Sequence, residues 1–432
     1  MRPTTPLLIL VALLGMLGIP AGFLDGFKVV WILLGALLAT LALVDGVLLF
    51  FQAKVEIVRK IPGRFALGVE QMIEIRSQPT KASRVSFELF DGVPPESTVS
   101  GMPWREQLVK GETSFLEYPV RLLKRGRLAF GPCHVLQRSP LHLWSRHYRS
   151  GQEEEVRVYP NYEPVVQLSL AAIEHRDPQI GIIEKNRVGL TREFHQLRDY
   201  QEGDVLSQID WKATSRRLQL ISREYREQRN QNVVLAVDCG RRMRSIEEGL
   251  PQFDHCLNSM LLLSYVSLKQ GDRVGILGFG GHDSWLPPQS GEHNMTTILN
   301  HLYEYETTPS SSDFGVAAEK ILARQQKRAL VVILTNLRSE DAGELLPALR
   351  LLRQTHLVLL ASLRESGLEE EDRVETHEEA VRHAALYLYL EERVRLMENI
   401  RAEGILTIDC TADELPLELS NSYLDIKAQG LL

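Results

Sequence analysis

"NVVLAVDCGRR" (Asn232–Arg242) joins an unbroken apolar run to a carboxylate, a glycine and two arginines. A continuous apolar run of this length is typical of a strand buried on both faces of a parallel sheet. In open parallel sheets, binding sites form beyond the carboxyl ends of the strands. The stretch therefore predicts an α/β sheet in which Asp238 lies at the edge where such sites form.

Strand and helix patterns alternate from this stretch to the end of the chain. The strand patterns that follow are DRVGILGFG, the possible short edge strand SWLPP, ALVVILTNL, HLVLLASL and ILTIDC. Between them lie the helical patterns QFDHCLNSMLLLSYVSLKQ, MTTILNHLYEY, FGVAAEKILARQQ and EDAGELLPALRLLRQ, and a long helical stretch from about 371 to 404. This alternation predicts a doubly wound α/β domain over residues 232–432, with helices on both faces of the sheet.

Two different patterns precede this domain. Residues 54–160 alternate apolar and polar side chains at a period of two, as in KVEIVRKI, QMIEIRSQ and RVSFELF, with breakers between the runs. Several short strands at such spacing predict a small β-sandwich. Residues 161–231 are polar and rich in arginine and acids, which predicts a connecting segment.

The first 53 residues contain two apolar stretches, Pro6–Leu24 and Val29–Phe51, each long enough to cross a bilayer as a helix. They predict a transmembrane hairpin, with a cleaved signal peptide as the alternative for the first stretch. Basic residues cluster directly after the second stretch, so we expect the large C-terminal part to be cytoplasmic. Asp45 lies within the second stretch, where an acid is either functional or close enough to the interface to be reached by water.

Composition excludes several classes of function. The formal net charge is −7 and the pI is near 6.0, which argues against nucleic-acid binding. The 4 cysteines have no CxxC spacing, which suits a reducing compartment and gives no metal or disulfide framework. GILGFGG lacks the order of a phosphate-binding loop, and His377 and His383 are spaced wrongly for a zinc site on one helix face.

Three polar loops, DCGRRM, SSSDF and TNLRSED, are predicted at the ends of strands or starts of helices. With the order of elements, they resemble the von Willebrand factor type A domain, whose metal-ion-dependent adhesion site uses Asp-x-Ser-x-Ser, a Thr and a final Asp. The resemblance implies a partner-binding edge formed by Asp238, Arg241, Arg242, Ser312, Asp313 and Asn336. Asp238 matches the first acid, but Gly240 and Arg242 stand at the serine positions. Ser312 stands in for the Thr, and Asn336 replaces the final Asp.

These departures weaken the case for a metal ion. Mg²⁺ prefers several oxygen ligands, whereas here one acid and neutral oxygens lie near a guanidinium. Asp238 and Ser312 are weak candidate ligands, and we expect no bound metal. Arg242 takes the cation's place in one interpretation, pairing with Asp238 or offering its fork to a partner's carboxylate. In the other, Arg242 is a solvated residue and Asp238 accepts hydrogen bonds from nearby backbone amides.

The connecting segment contains FHQLRDYQEGDVLSQIDWKATSRRLQL. With the apolar start and RGRLAFGP, it resembles the bacterial domain of unknown function 58 family over essentially the whole chain. The positions that match the family's signature are Arg198, Tyr200, Gly203, Asp204, Asp210, Trp211, Lys212 and Arg216. Ser139 and Ser207 depart from the family pattern.

Two interpretations of the signature remain open. In the first, its acids and arginines pair, Trp211 packs, and the segment docks the α/β domain against the β-sandwich. In the second, the same surface contacts a partner. A catalytic triad of His195, Asp210 and Ser215 is conceivable, but its spacing matches no known motif.

The resemblance implies a membrane-anchored, non-enzymatic adaptor that works with a cytoplasmic MoxR-type AAA+ ATPase in the assembly or maturation of other proteins. It also implies an inner-membrane location. We expect no cofactor and no small-molecule substrate. The alternative is a metal-dependent adhesion module that binds an acidic protein ligand through Mg²⁺.

Overall fold

The computed structural model describes residues 1–23, 25–80, 84–109, 112–167, 192–200, 209–227, 230–365 and 376–432. The chain divides into two compact units, Met1–Tyr159 and Pro160–Leu432. Gly203 and Asp204 of the signature lie outside the described residues, and so does Ser207.

The first unit begins with two packed helices, α1 (Thr5–Ala21) and α2 (Asp25–Phe51). The indole of Trp31 donates to the carbonyl oxygen of Leu14 at 2.8 Å, which joins the two helices. Gly26–Phe51 is 26 residues long and apolar enough to cross a membrane, and most of its side chains are exposed. α1 is apolar but only 17 residues long. A helix such as α2 near an N-terminus is either a membrane anchor or a signal sequence.

Eleven strands of the first unit are described. They are β1 (Arg2–Pro3), β2 (Val55–Lys60), β3 (Arg64–Ala66), β4 (Glu70–Pro79), β5 (Val85–Gly92), β6 (Ser97–Val99), β7 (Trp104–Leu108), β8 (Ser114–Leu122), β9 (Gly126–Arg138), β10 (Trp144–Ser150) and β11 (Glu154–Tyr159). One sheet has the order β1-β10-β9-β11-β3, with β5 also paired to β9 and β7 to β5. The other has the order β2-β4-β8-β6.

A buried polar cluster joins the two sheets. Arg59 of β2 pairs with Asp91 of β5 at 2.5 Å, and the hydroxyl of Tyr118 on β8 also donates to Asp91. Cys133 of β9 lies 3.1 Å from the same carboxylate. Because side chains from both sheets meet there, the strands form a sandwich, as their alternating pattern predicted.

Asp45 of α2 is buried and contacts the loop between β9 and β10. Its carboxylate accepts from the hydroxyl of Ser139 at 2.5 Å and from the backbone N–H groups of Leu141 and Leu143 at 2.9 and 3.1 Å. The indole of Trp144 donates to the carbonyl of Ala42 at 2.8 Å. In the structure, Asp45 therefore ties the helix to the sandwich and is not reached by water.

The second unit opens with a hairpin of β12 (Arg192–Asp199) and β13 (Ile221–Glu227), with the short helix α3 (Trp211–Arg217) between them. The strands pair antiparallel from Arg192–Glu227 to Asp199–Ile221. The segment predicted only as a connection thus has its own secondary structure.

The rest of this unit is an α/β domain. Its strands are β14 (Asn232–Asp238), β15 (Ile246–Glu247), β16 (Leu250–Pro251), β17 (Arg273–Phe279), β18 (Ser284–Ser290), β19 (Ala329–Thr335), β20 (Leu357–Leu363) and β21 (Leu406–Cys410). Its helices are α4 (Gln252–Lys269), α5 (Met295–Tyr303), α6 (Phe314–Arg324), α7 (Ala342–Arg353), α8 (His377–Ala402) and α9 (Leu415–Ala428). Six of the strands form the sheet β18-β17-β14-β19-β20-β21, parallel except for the antiparallel edge strand β18.

Helices cover both faces of this sheet. Val233, Leu235 and Val237 of β14 pack with α4, α5 and α9, whereas Val234 and Ala236 pack with α6, α7 and α8. Alternate residues of a strand point to opposite faces, so an unbroken apolar run is needed when both faces are covered. This explains why VVLAV lacks polar residues.

Candidate functional site

Asp238 and Thr335 meet where the winding of the sheet reverses. From β14 the chain proceeds to β17 and β18 on one side and then to β19, β20 and β21 on the other. The ends of β14 and β19 therefore flank the switch point, the usual ligand position in such sheets. The hydroxyl of Thr335 donates to Oδ2 of Asp238 at 2.7 Å.

The other oxygen of Asp238 is also fully engaged. Oδ1 accepts from the backbone N–H of Gly240 at 2.7 Å and from the hydroxyl of Ser312. Asp238 is only 1% exposed. The carboxylate thus accepts hydrogen bonds from one backbone amide and two hydroxyls in a buried network. The bond from the amide is the kind expected in the interpretation in which Asp238 accepts from nearby backbone N–H groups.

Gly240 is required by the close approach of Ser312. A Cβ atom at position 240 would lie 2.2 Å from Oγ of Ser312 and 3.0 Å from Oδ1 of Asp238. Gly280, with φ of +86°, also lies against this group, since a Cβ there would be 3.0 Å from each of the same two atoms. The hydroxyl of Ser312 therefore fills the space that a serine side chain at position 240 would need.

Arg242 does not pair with Asp238, so that alternative of the sequence analysis is wrong. Its guanidinium contacts Glu340 at 2.5 Å and also Asp341, both in the loop after β19. Its side chain is 20% exposed, whereas that of Glu340 is 67% exposed. Arg242 pairs with the loop acids because both oxygens of Asp238 already accept hydrogen bonds from other donors. Those donors do not bind Glu340 or Asp341, so the two loop acids can accept from the guanidinium.

A cavity of about 230 Å³ opens beside this ion pair. Its lining residues are Asp238, Arg241, Arg242, Ser311, Ser312, Phe314, Glu340, Asp341 and Glu344. It brings together four of the six edge residues predicted from the sequence and adds acids that the sequence analysis did not single out. We call this cavity and its rim the Arg242 pocket.

Two predicted edge residues lie elsewhere. Asn336 is buried and donates to Gln252 at 2.9 Å and to Glu365 at 2.8 Å. Asp313 caps α6 by accepting from the backbone N–H of Val316 at 2.9 Å. Neither lines the Arg242 pocket, because Asn336 points away from Asp238 and the Asp313 carboxylate serves its own helix.

The geometry fits a divalent ion poorly. Both oxygens of Asp238 already accept hydrogen bonds, and Arg242 brings a positive charge into the same pocket. Among the residues that the structure describes, no three His, Cys, Asp or Glu side chains are grouped to hold a metal. Mg²⁺ would need most of these oxygens to be free of hydrogen bonds and arranged around it in near-octahedral geometry.

Arg393 of α8 holds the strand ends in place. It donates to the Leu337 carbonyl at 2.6 Å, to Ser362 Oγ at 2.7 Å and to Asp409 Oδ1 at 2.7 Å. Burial alone would lower the pKa of Arg393, but hydrogen bonding and the charge of Asp409 outweigh it and raise the pKa. The loop that carries Glu340 and Asp341 therefore begins at a fixed point.

The signature residues that the structure describes do not form a catalytic group. Asp210 caps α3 by accepting from the N–H groups of Lys212 and Ala213, each at 3.0 Å, and Ser215 donates to the Lys212 carbonyl at 3.0 Å. The side chains of His195 and Arg198 are not described. Trp211 is 67% exposed, so the interpretation in which it packs is wrong. Lys212 and Arg216 are exposed beside it, and Tyr200 is half-buried.

Comparison with known proteins places this stretch in context. Residues 196–389 match the family model described as Protein of unknown function DUF58. The DUF58 match includes α3, Asp238 and the whole Arg242 pocket. It ends within α8.

A relative is known from Bacillus subtilis (strain 168). The chain is 26% identical to its Uncharacterized protein YeaD over 145 residues, 34% of each protein. The similarity thus spans about a third of that relative's length.

Solved structures resemble smaller parts of the chain. Native Escherichia coli alpha-2-macroglobulin matches 24% of this chain and 7% of its own, with 15% identity and a TM-score of 0.20. The FixG-related protein from Vibrio parahaemolyticus matches 25% of this chain and 96% of its own, with 11% identity and a TM-score of 0.18. Scores this low support no inference about function.

Proposed function

We propose that this protein is a membrane-anchored, non-enzymatic adaptor whose Arg242 pocket binds a cytoplasmic protein, a MoxR-type AAA+ ATPase. The α/β domain would be a von Willebrand factor type A-like domain with a degenerate metal-ion-dependent adhesion site. The observation that carries the proposal is the contact of Arg242 with Glu340 and Asp341 at the carboxyl edge of the sheet.

The ion pair suits exchange with a partner. Glu340 is mostly exposed, and an exposed ion pair contributes little to stability, about 1 kcal/mol or less. A carboxylate from a partner can therefore replace Glu340 on the Arg242 fork at small cost. Arg242 itself is partly buried and also contacts Asp341, so its guanidinium is already oriented toward the position that Glu340 occupies.

Membrane anchoring is supported by the first unit. The α2 helix exposes its apolar side chains along most of its length, as a lipid-facing helix does. Lys54, Lys60 and Arg64 follow it. Under the positive-inside rule, they favour an inner-membrane protein with two N-terminal spans and its large part in the cytoplasm.

A metal-dependent adhesion module is the second candidate, and one observation favours it. Oxygens of Asp238, Ser312 and Thr335 converge on one point at the switch point of the sheet. If both hydroxyls rotated away, the carboxylate would be free for a cation. Calorimetric titration of the full chain with Mg²⁺ decides: a dissociation constant below about 1 mM would favour this candidate.

Crosslinking in native membranes, followed by identification of the attached proteins, tests the adaptor function. We expect the parent chain to capture an AAA+ ATPase and Arg242→Glu to reduce the yield at least fivefold, because the new carboxylate repels Glu340 and an incoming acid. Arg350→Glu is the matched control, since Arg350 of α7 pairs at the surface with Glu403 at 2.6 Å, and neither residue lines the pocket. Parent-level capture by Arg242→Glu would rule out the pocket as the contact.

A further inference from the structure

A second surface of the DUF58 region combines exposed apolar and basic side chains. It consists of Trp211, Lys212, Arg216, Arg217 and Leu218, and we call it the α3 face. Trp211 is 67% exposed and Leu218 is 91% exposed. Exposed single apolar residues are common, but a tryptophan and a leucine beside three cations on one short helix need an explanation.

The short helix α3 leaves all five of these side chains exposed. Trp211 is the first residue of the helix and Leu218 directly follows its last residue, so the two apolar side chains lie about two turns apart. Between them, the hydroxyl oxygen of Thr214 accepts from the backbone N–H of Ile221 at 3.1 Å, which fixes the helix to β13. The exposed apolar residues therefore lie at the two ends of the helix.

Leu218 is held in a conformation that leucine rarely adopts. It ends α3 with φ of 56° and ψ of 23°, and its N–H donates to the Thr214 carbonyl. Glycine or asparagine usually occupies such a left-handed cap, because a Cβ atom is strained there. A leucine that is both strained and almost fully exposed does not serve folding, and backbone strain of this kind is concentrated at functional sites.

The charge of the α3 face opposes that of the whole chain. Lys212, Arg216 and Arg217 form no ion pair within the described parts of the chain, whereas the net charge of the protein is −7. Basic residues near a bilayer are attracted to anionic lipids, and tryptophan prefers the headgroup level.

We propose that the α3 face docks onto the anionic headgroup surface of the membrane. Trp211 and Leu218 enter the headgroup layer, while Lys212, Arg216 and Arg217 pair with lipid phosphates. The inference rests on the membrane anchoring proposed above, since α2 would hold the chain at a bilayer. Docking of this kind would fix the position of the Arg242 pocket relative to the membrane.

The test uses the full chain with Ser215→Cys, labelled by an environment-sensitive fluorophore and reconstituted into nanodiscs. Ser215 is exposed, and the 4 native cysteines are all buried, so labelling is selective. Co-elution with zwitterionic phosphatidylcholine discs tests anchoring alone. We expect a blue shift of the label in discs with about one-third phosphatidylglycerol, and none in pure phosphatidylcholine. The control label, at Gln326→Cys on another exposed turn, should not shift.

Two variants separate docking from folding. Lys212→Glu with Arg216→Glu should remove at least half of the blue shift, and so should raised salt. Leu218→Gly should reduce the shift while leaving the protein as stable or more stable, because it relieves the left-handed strain. An equal label signal in both lipids would overturn the proposal. So would a shift produced by polyglutamate in phosphatidylcholine discs, which would assign the face to an acidic protein.

Discussion

Ser139 donates its hydroxyl to the buried carboxylate of Asp45, 94 residues away in the sequence, at 2.5 Å. The same loop supplies two backbone N–H groups to this carboxylate. Asp45→Ala would leave three donors buried without an acceptor, so we expect a loss of about 3 kcal/mol of unfolding free energy. Denaturation of the full chain in detergent measures it.

Thr40→Ala is the control for that prediction. Thr40 lies on the same helix, but its hydroxyl donates only to the Ala36 carbonyl one turn earlier. A change smaller than about 0.5 kcal/mol is expected there. Equal losses of unfolding free energy in Asp45→Ala and Thr40→Ala would show that the hydrogen bonds from the loop to Asp45 do not stabilise the protein.

The hydroxyl of Thr335 is expected to stabilise the switch point of the sheet. Thr335→Val keeps the shape but removes the 2.7 Å hydrogen bond to the buried Asp238. We expect the unfolding free energy to fall by about 1–3 kcal/mol. Thr355→Val, at an exposed site after α7, should be nearly neutral in the same denaturation experiment. A neutral Thr335→Val would mean that water replaces the hydroxyl.

The contact between positions 240 and 312 predicts that the effects of substitutions at these two positions on the unfolding free energy are strongly coupled. Gly240→Ser forces a Cβ atom to 2.2 Å from Ser312 Oγ, so we expect a loss of about 1–3 kcal/mol. Ser312→Gly removes the obstructing hydroxyl, and the double variant should recover part of the loss. A double-mutant cycle measures the coupling. Additive losses would mean that the two loops move apart freely.

Arg393 and Arg395 form a matched pair on α8. Arg393→Met would leave the carboxylate of Asp409 and two carbonyls without their donor, for an expected loss of about 3–5 kcal/mol. Arg395→Met removes only an exposed pair with Glu391 and should cost less than about 0.5 kcal/mol. Similar melting temperatures of the two variants would contradict the conclusion that Arg393 holds the strand ends in place.

Stability should fall in mild acid partly because of His301. Burial lowers the pKa of this imidazole; Glu304 opposes the shift and His282 adds to it. The unfolded chain therefore binds a proton near pH 6.5 before the folded chain does, and unfolding becomes easier as pH falls below that value. His301→Gln should reduce the loss of stability between pH 7.5 and 5.5, measured by denaturation at each pH. An unchanged loss would assign it to other groups.

The sequence predicted the sheet well because burial on both faces leaves a clear pattern. VVLAV became the central strand β14, and Asp238 lies at its carboxyl end as expected. Helix α9 was missed, although Leu415, Leu419, Tyr423 and Ile426 recur at helical spacing and pack against the sheet. This periodicity, which lies beyond ILTIDC in the sequence, predicts the helix.

The contacts between side chains in the Arg242 pocket were harder to predict from the sequence. Arg242 and Glu340 are 98 residues apart, and only the folded sheet brings their loops together. One of the two interpretations of the signature had Trp211 packed, yet it follows a helix cap on a short helix and is 67% exposed. Periodicity says nothing about α3, because seven residues are too few to define a face.

The outer edge of the α/β sheet carries two adjacent prolines, Pro287 and Pro288, in β18. Neither has an N–H group, and the register with β17 slips opposite them. A strand from another molecule would find too few donors there to extend the sheet. High local concentrations of the protein should therefore not lead to edge-to-edge aggregation through this strand.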